Sequence, residues 1–293
     1  MKQLLVRLLT AAQYRRLTRF RNETLPSLGR TLVQLPVLLL GQVIKALPGS
    51  SLVTLKSGIK VVRKMDYLRQ PIFLDVDSDF EYRVRLHSCK KEPDTVEWIE
   101  TFIMEGEVLY DIGANSGVYS LIASKFFGGK IQVYAFEPAF LNFSQLCKNL
   151  VLNACQDSVA PLPIALSDTT SIANFNLQNL VPGGAIHSLG EAKDSEGNDF
   201  TPIAQQAVLS YRVDDLIGQF NLRLPNHVKI DVDGNEFSIL KGMEETLNGH
   251  SIKSVLLELN IGSGHDQQIL EFLAQKGFEV HSNYGLNHIF VRV

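Results

Sequence analysis

The chain of 293 residues has only three cysteines, Cys89, Cys147 and Cys155, and no CxxC pair. An odd and scattered set excludes a disulfide scaffold and a cysteine zinc site, and it suits a reducing compartment. GxSxG and HExxH are both missing, so serine-hydrolase and zincin chemistry have no motif to rest on. Gly (21) and Pro (11) are too few for a collagen-like or low-complexity chain. Charged residues make up 20% against 45% hydrophobic, which excludes a disordered chain. No clean apolar run is long enough to cross a bilayer. Gln34, Pro36, Gln42 and Lys45 interrupt the stretch Thr31–Leu47, which falls short of the ~20 residues required. Residues 1–20 break after Leu9 into Arg15, Arg16 and Arg19 and are not expected to act as a secretory signal.

The net charge of -3 conceals an asymmetry. Residues 1–70 hold 13 Lys and Arg against 2 Asp and Glu, a local +11, so the remainder carries -14. Such a basic segment either docks on the acidic body or is drawn to an anionic surface. Its interrupted apolar character suits an interfacial helix. We therefore expect a cytoplasmic protein with peripheral contact at the inner membrane surface through residues 1–50, and no nucleic-acid partner.

Hydrophobic periodicity divides the rest. Leu52–Leu55 and Ile59–Val62 flank Ser57-Gly58 and read as a hairpin. Phe80, Tyr82, Val84 and Leu86 alternate with polar residues and read as a half-buried strand. Asp94 is expected to cap a helix running to about Met104. From residue 107, strands at 108–110, 131–136, 159–166, 228–232 and 255–259 alternate with helical stripes at 118–126, 143–151, 237–247 and 269–273. That alternation means a doubly wound, mostly parallel α/β sheet. Residues 278–280 and 288–291 are joined by a loop too short for a crossover helix, so they must form an antiparallel hairpin. A parallel sheet closed in this way is the methyltransferase-type version of the dinucleotide-binding fold. The domain expectation is 1–90 for a helical and β extension and 91–293 for the α/β body. The polar stretch 178–206 reads as a long functional loop.

Candidate chemistry collects at strand ends, where open α/β sheets bind ligands. Asp111, Gly113, Ala114, Asn115 and Gly117 lie in DIGANSG, between the first strand and helix. The third glycine of a dehydrogenase fingerprint is replaced by Val118, and Asp111 is the wrong charge for a phosphate but the right one for a cationic ligand. Gly117 is expected to leave room for that ligand. Glu137, before Pro138, suits ribose hydroxyls, and Ser167-Asp168 is placed to read an adenine edge. Lys229, Asp231, Asp233 and Glu236 cluster after the fourth strand as base, anchor or oxygen ligands. Their spacing is not that of a calcium loop, and no metal is assigned. Burial is expected to raise the Asp231 pKa, with Lys229 opposing. His187 is a further candidate base. Glu258 is either a substrate anchor or a solvated strand end.

The run Val108–Asn153 with DIGANSG and VYAFEP resembles the FkbM-type S-adenosylmethionine-dependent methyltransferases. ALSD, GGAIHSL, YRVDDL, VKIDVDGNEFSILKGM and VLLELN follow in that family's order, covering about residues 94–293. The resemblance implies a class I methyltransferase fold with S-adenosylmethionine bound by Asp111, Gly113, Asn115, Gly117 and Glu137. It places Lys229, Asp231 and Gly234 around the active site, and implies O-methylation of a sugar or natural-product hydroxyl. Asp233, Asn235 and His187 stand where the family commonly has Glu, Ala and Ser, which bears on the acceptor. An NAD-dependent oxidoreductase and a noncatalytic nucleoside-binding or membrane-adaptor protein are the competing classes.

Overall fold

The computed structural model describes residues 39–193, 197–259 and 266–293. Most of the expected interfacial segment, residues 1–38, lies outside them, as does Asn260. No helix among the described residues is long and apolar enough to cross a membrane. The chain divides into two compact units, 1–60 and 61–293.

In the first unit the expected hairpin is a helix, α1 (Gly49–Gly58), with no buried residue. Thr54 Oγ1 bonds the Ser50 carbonyl and Ser57 Oγ the Thr54 carbonyl. These local bonds stay within a helical turn and do not depend on a partner strand.

The second unit opens with the small antiparallel pair β1 (Val62–Lys64) and β2 (Phe73–Asp75), lying later in the chain than the hairpin expected at 52–62. The expected strand at 80–86 is instead α2 (Asp79–Arg83) followed by a 3₁₀ turn, Arg85–His87. The cause is a capping box hidden under the alternation. Ser78 Oγ accepts the Glu81 N–H, and the Glu81 carboxylate reaches back to the Asp77 N–H. Helix α3 (Pro93–Phe102) begins at Pro93, with Asp94 inside its first turn rather than at its cap.

Among the described residues seven strands form the main sheet, in the order β12-β13-β11-β10-β3-β4-β5. They are β3 (Val108–Ile112), β4 (Gln132–Phe136), β5 (Val159–Leu162), β10 (His227–Ile230), β11 (Ser254–Glu258), β12 (Phe278–Tyr284) and β13 (Asn287–Arg292). β11, β10, β3, β4 and β5 pair in parallel, and β13 runs antiparallel to both β11 and the edge strand β12. This is the doubly wound sheet with a C-terminal hairpin expected of a class I methyltransferase. Pro161 lies in the edge strand β5, and the opposite edge strand β12 is exposed beyond Phe278, with a bulge between Val280 and Ser282.

One face carries α3, α4 (Val118–Phe126) and α5 (Phe140–Leu152), which pack Trp98, Leu121 and Leu146 toward Leu109, Val133 and Leu256. The other carries α6 (Val213–Phe220), α7 (Glu236–Gly242), α8 (Glu244–Asn248) and α9 (Asp266–Gln275), over Tyr110, Val228 and Leu257. The single helix expected at 237–247 breaks after Gly242, which sits so close to the Ser167 carbonyl that a Cβ would overlap it.

The expected strand 159–166 also divides. After Pro163 the chain leaves the main sheet, and β6 (Ala165–Leu166) joins a second sheet with β7 (Ser171–Leu177), β8 (His187–Leu189) and β9 (Ala204–Tyr211), ordered β6-β9-β7-β8. The stretch read as one long loop therefore contains β8 and the start of β9.

Candidate active site

The β3 end is set against β10 by register, with Asp111 opposite Lys229. Asp111 is wholly buried. Its Oδ2 accepts the Ser120 hydroxyl at 2.6 Å, while Oδ1 has no hydrogen-bond partner and lies 3.7 Å from Lys229 Nζ. This oxygen is enclosed and shares its charge with Lys229, and the negative charge at the strand end suits a cationic ligand. The turn passes through Gly113, Asn115 and Gly117, all at positive φ. A Cβ at Gly113 would overlap the Asp231 carbonyl oxygen, so glycine lets the turn close on β10. At Gly117 a Cβ would meet the Leu146 side chain. That glycine makes room for α5, which corrects the expectation that it clears space for a ligand.

Glu137 ends β4 with both oxygens engaged: Oε2 accepts the Asn115 N–H and Oε1 the Ala139 N–H, each at 2.8 Å. Burial pushes its carboxyl up to about 7 against the pull of those N–H groups. The carboxylate thus joins the second strand end to the turn around Ala114, and its further lone pairs suit ribose hydroxyls. The Pro138 carbonyl accepts the Gln206 amide. Asp168 is paired with Lys241 at 2.7 Å, and its Oδ1 accepts the hydroxyls of Ser167 and Thr169.

At the β10 end, Lys229 is buried with its ammonium 2.9 Å from Asp231 Oδ2 and 5.1 Å above the Tyr119 ring. Tyr119 donates to Glu92, which also pairs with Lys91. Burial would raise the Asp231 carboxyl, but Lys229, a hydrogen bond from Glu258 and Lys91 overcome it and hold the group below the usual carboxylate range. The expected rise is therefore reversed. Burial and then Asp231 push Glu258 well above its ordinary value. Burial also takes Glu236 up to about 7.

Asp233 has a different task. Its Oδ2 accepts the N–H groups of Ile186 at 2.6 Å and His187 at 3.2 Å, and its pKa is raised by burial and then by Asp231. Ile186 is held at φ 66, a costly conformation for a β-branched residue. Burial pushes His187 down to about 4, and its Nδ1 accepts the Gln178 N–H, so the neutral ring carries its proton on Nε2. In that tautomer Nδ1 is already occupied and Nε2 is a donor.

The segment 182–187 lies across these residues as a strap. Asn115 and Asn142 both donate to the Gly184 carbonyl, Arg85 donates twice to the Gly183 carbonyl, and Ser78 donates to that of Pro182. Arg85, Ser78 and Asn142 were not singled out in the sequence. The Ser78–Glu81 capping box is the signal that would have placed the first two on a helical turn. Among the described residues no group of three His, Cys, Asp or Glu side chains is arranged to hold a metal ion.

The methyltransferase FkbM domain model matches residues 111–280, more than half of the chain. The chain belongs to the FkbM methyltransferase family. Hexuronic acid methyltransferase AglP of Haloferax volcanii is 28% identical over 178 residues, covering 61% of this chain and 66% of that one. The chain thus spans just under two thirds of that relative's length. The 31-O-demethyl-FK506 methyltransferase FkbM of Streptomyces tacrolimicus is 24% identical, over 60% of this chain and 74% of its own. The solved methyltransferase FkbM of Methylobacillus flagellatus is 15% identical at a TM-score of 0.45, covering 65% of this chain and 45% of that one. The FkbM domain here is an S-adenosylmethionine-dependent methyltransferase domain, and its residues fit the cofactor's chemistry. The negative charge of Asp111 at the strand end suits the cationic cofactor, and Glu137 suits its ribose.

Proposed function

We propose that the protein is an O-methyltransferase acting on a hydroxyl of a sugar or natural-product acceptor. The observation that carries this reading is Asp231, kept ionised by buried Lys229 beside the open oxygen of Asp111. When bound, S-adenosylmethionine supplies a methyl group whose bond to sulfur breaks, the electron pair leaving with sulfur, as the acceptor oxygen bonds to carbon. Asp231 accepts the acceptor hydroxyl's hydrogen bond and aligns the oxygen. As the new bond forms, the proton on that oxygen becomes far more acidic than a carboxylic acid. A carboxylate held low by Lys229 is then base enough to receive it. Lys229 stays protonated because Asp231, Asp111 and Glu92 outweigh its burial. The names of the two curated relatives support an acceptor of the sugar or natural-product class.

Calorimetry with S-adenosylmethionine and NAD, followed by a methyl-transfer screen over glycans, tests the reading. Binding of NAD in place of S-adenosylmethionine would defeat it. Asp231→Asn should reduce turnover by about 100-fold or more, in the range ascribed to a positioned base, with cofactor affinity retained. Near wild-type turnover would remove Asp231 from the mechanism.

The charge of residues 1–70 supports a second proposal, that residues 1–50 attach the enzyme peripherally to anionic membrane at the cytoplasmic face. Each basic residue near such a surface contributes about 1 kcal/mol, screened by salt. Equal sedimentation of full-length and truncated chains with anionic liposomes at low salt would dismiss it.

A further inference from the structure

The buried Lys229 ammonium has three N–H groups, and among the described residues it makes one hydrogen bond. That bond goes to Asp231 Oδ2 at 2.9 Å, while Asp111, the residue opposite Lys229 in the β3–β10 ladder, stays 3.7 Å away. The choice runs against burial. Asp111 is wholly enclosed, whereas the Asp231 side chain is 31% exposed. Opposite charges attract more strongly where water is excluded, so charge alone favours Asp111. A further contact must place the ammonium.

Tyr119, in the first turn of α4, supplies it. Lys229 Nζ stands over the Tyr119 ring, 5.1 Å from its centre, within the distance at which an aromatic face attracts a cation. The ring is buried, and it is pinned at its far end. Its hydroxyl donates to Glu92 Oε2 at 2.6 Å, and Glu92 Oε1 lies 2.5 Å from Lys91 Nζ. A phenol that donates to a carboxylate gains electron density in its ring, so the face under Lys229 is more negative than that of a phenylalanine. Glu92 and Lys91 precede residues 111–280, the span of the FkbM domain. The ring therefore joins the segment ahead of that domain to its centre.

We propose that Tyr119 is a positioning residue: its ring, fixed by Glu92, is the wall against which the Lys229 ammonium stands, and it directs that ammonium to Asp231 rather than to Asp111. Asp231 is thereby kept ionised and in one orientation toward the acceptor hydroxyl, which lowers the reorganisation needed when the acceptor arrives. Asp111 keeps the Ser120 hydroxyl as its hydrogen-bond partner. Without the ring, Lys229 is free to turn to the carboxylate across the ladder, and Asp231 loses its neutralising partner. The other charged or titratable groups around Lys229 and Asp231 are Glu92 and Lys91 ahead of α3, Glu258 on β11, Asp233 after β10 and Arg85 in the 3₁₀ turn. The purpose of the arrangement rests on the methyl-transfer reading, but the placement of the ammonium does not.

The test is an NMR titration of the full chain labelled at Lys and Asp, with Lys229→Arg and Asp231→Asn identifying the signals. In the wild type, the ring current of Tyr119 should move the Lys229 ε-methylene protons upfield of those of the other lysines, and Asp231 should titrate below its ordinary value. Tyr119→Leu should abolish the upfield shift and raise the Asp231 midpoint by about one unit, a tenfold change in proton affinity. Tyr119→Phe keeps a ring but loses the bond to Glu92. It should retain the upfield shift and raise Asp231 by less than Tyr119→Leu does. A wild-type Lys229 signal that is not shifted upfield overturns the proposal without need of any Tyr119 variant. So does a folded Tyr119→Leu chain in which Asp231 titrates as in the wild type, or a Tyr119→Phe chain that moves Asp231 as far as Tyr119→Leu. A wild-type chain that binds no S-adenosylmethionine by calorimetry would remove the methyl-transfer reading and leave the NMR result standing.

Discussion

Two polar layers lie on the same face of the main sheet, one at each end of its parallel strands. At the amino end, His227 Nδ1 meets Ser254 Oγ at 2.7 Å, Nε2 meets Glu107 Oε2 at 2.8 Å, and Trp98 Nε1 donates to Ser254 Oγ at 2.9 Å. Lys253 closes the other Glu107 oxygen. At the carboxyl end stand Asp111, Lys229, Asp231 and Glu258, with one Asp111 oxygen making no hydrogen bond and lying 3.7 Å from the Lys229 ammonium. Leu109 and Leu256 separate the two. The first layer contains serine, histidine and glutamate in hydrogen-bonded sequence, a set that elsewhere serves nucleophilic catalysis. Here every member is satisfied and His227 and Ser254 are almost wholly enclosed, so the set holds strands together. Residue type alone does not mark a site. Charged groups gathered at the carboxyl ends of parallel strands do.

Breaking the closed layer should have the largest effect. His227→Ala removes one buried hydrogen bond each from Glu107 and Ser254, which keep Lys253, the Met104 N–H and Trp98, and leaves a cavity in place of the ring, so the loss should be roughly 2–5 kcal/mol. Urea unfolding measures it, and the folded protein should bind S-adenosylmethionine as before. The mirror experiment is Asp111→Asn at the open layer. Loss of a charged hydrogen bond to the cofactor should weaken binding by about 10- to 100-fold. Stability should change by no more than about 2 kcal/mol, because Asp231 still neutralises Lys229. A variant that unfolds but binds normally when folded would reverse the roles of the two layers.

The closed layer and two buried carboxyls outside both layers, Glu137 and Glu236, should respond oppositely to pH. Burial lowers the His227 pKa from 6.5, with Glu107 opposing. Its stabilisation is therefore complete above pH 6.5 and is lost as the pH falls below it. Glu137 and Glu236 are raised from 4.5 to about 7, so their contribution is complete below pH 4.5 and is lost as the pH rises toward about 7. In the wild type the two trends offset one another. In His227→Ala, stability should fall steadily between pH 4.5 and about 7, and a flat profile would deny the opposition.

Smaller effects separate packing from binding in the turn. Gly117→Ala should cost about 1–2 kcal/mol, the strain of its left-handed backbone plus contact with a movable Leu146. Adding Leu146→Val should recover part of that loss. If stability holds while cofactor affinity collapses, Gly117 belongs to the ligand after all. The smallest expected change is Lys241→Ala, which breaks a half-exposed ion pair with Asp168 and should cost less than about 1 kcal/mol in thermal unfolding.

The main sheet was legible because Val108–Ile112 and Gln132–Phe136 are buried runs between strongly patterned helices, and residues 278–291 left no length for a crossover. The site was legible where chemistry stands at strand ends: Asp111, Glu137, Lys229 and Asp231 are brought to one edge of the sheet. The second sheet was hidden because β8 is three residues long and β7 mixes Phe175 with Asn174 and Asn176. The Phe80–Leu86 alternation misled because a four-residue capping box outweighed period-two hydrophobicity. The sign of the Asp231 shift depends on a 2.9 Å contact with Lys229, which spacing in the chain does not give. The strap's contacts with Arg85 and Ser78 join residues about 100 positions apart, beyond the reach of any local pattern.

The two margins of the main sheet have a consequence for behaviour at high concentration. An edge strand offers a row of free N–H and C=O groups on which a strand from another molecule can grow. On one margin, Pro161 removes a donor from that row in β5. On the other, the bulge at His281 puts the row on β12 out of step. Each margin is thereby a poor template for fibril-like stacking, and the protection lies in the backbone itself, independent of the charge that keeps the molecules apart.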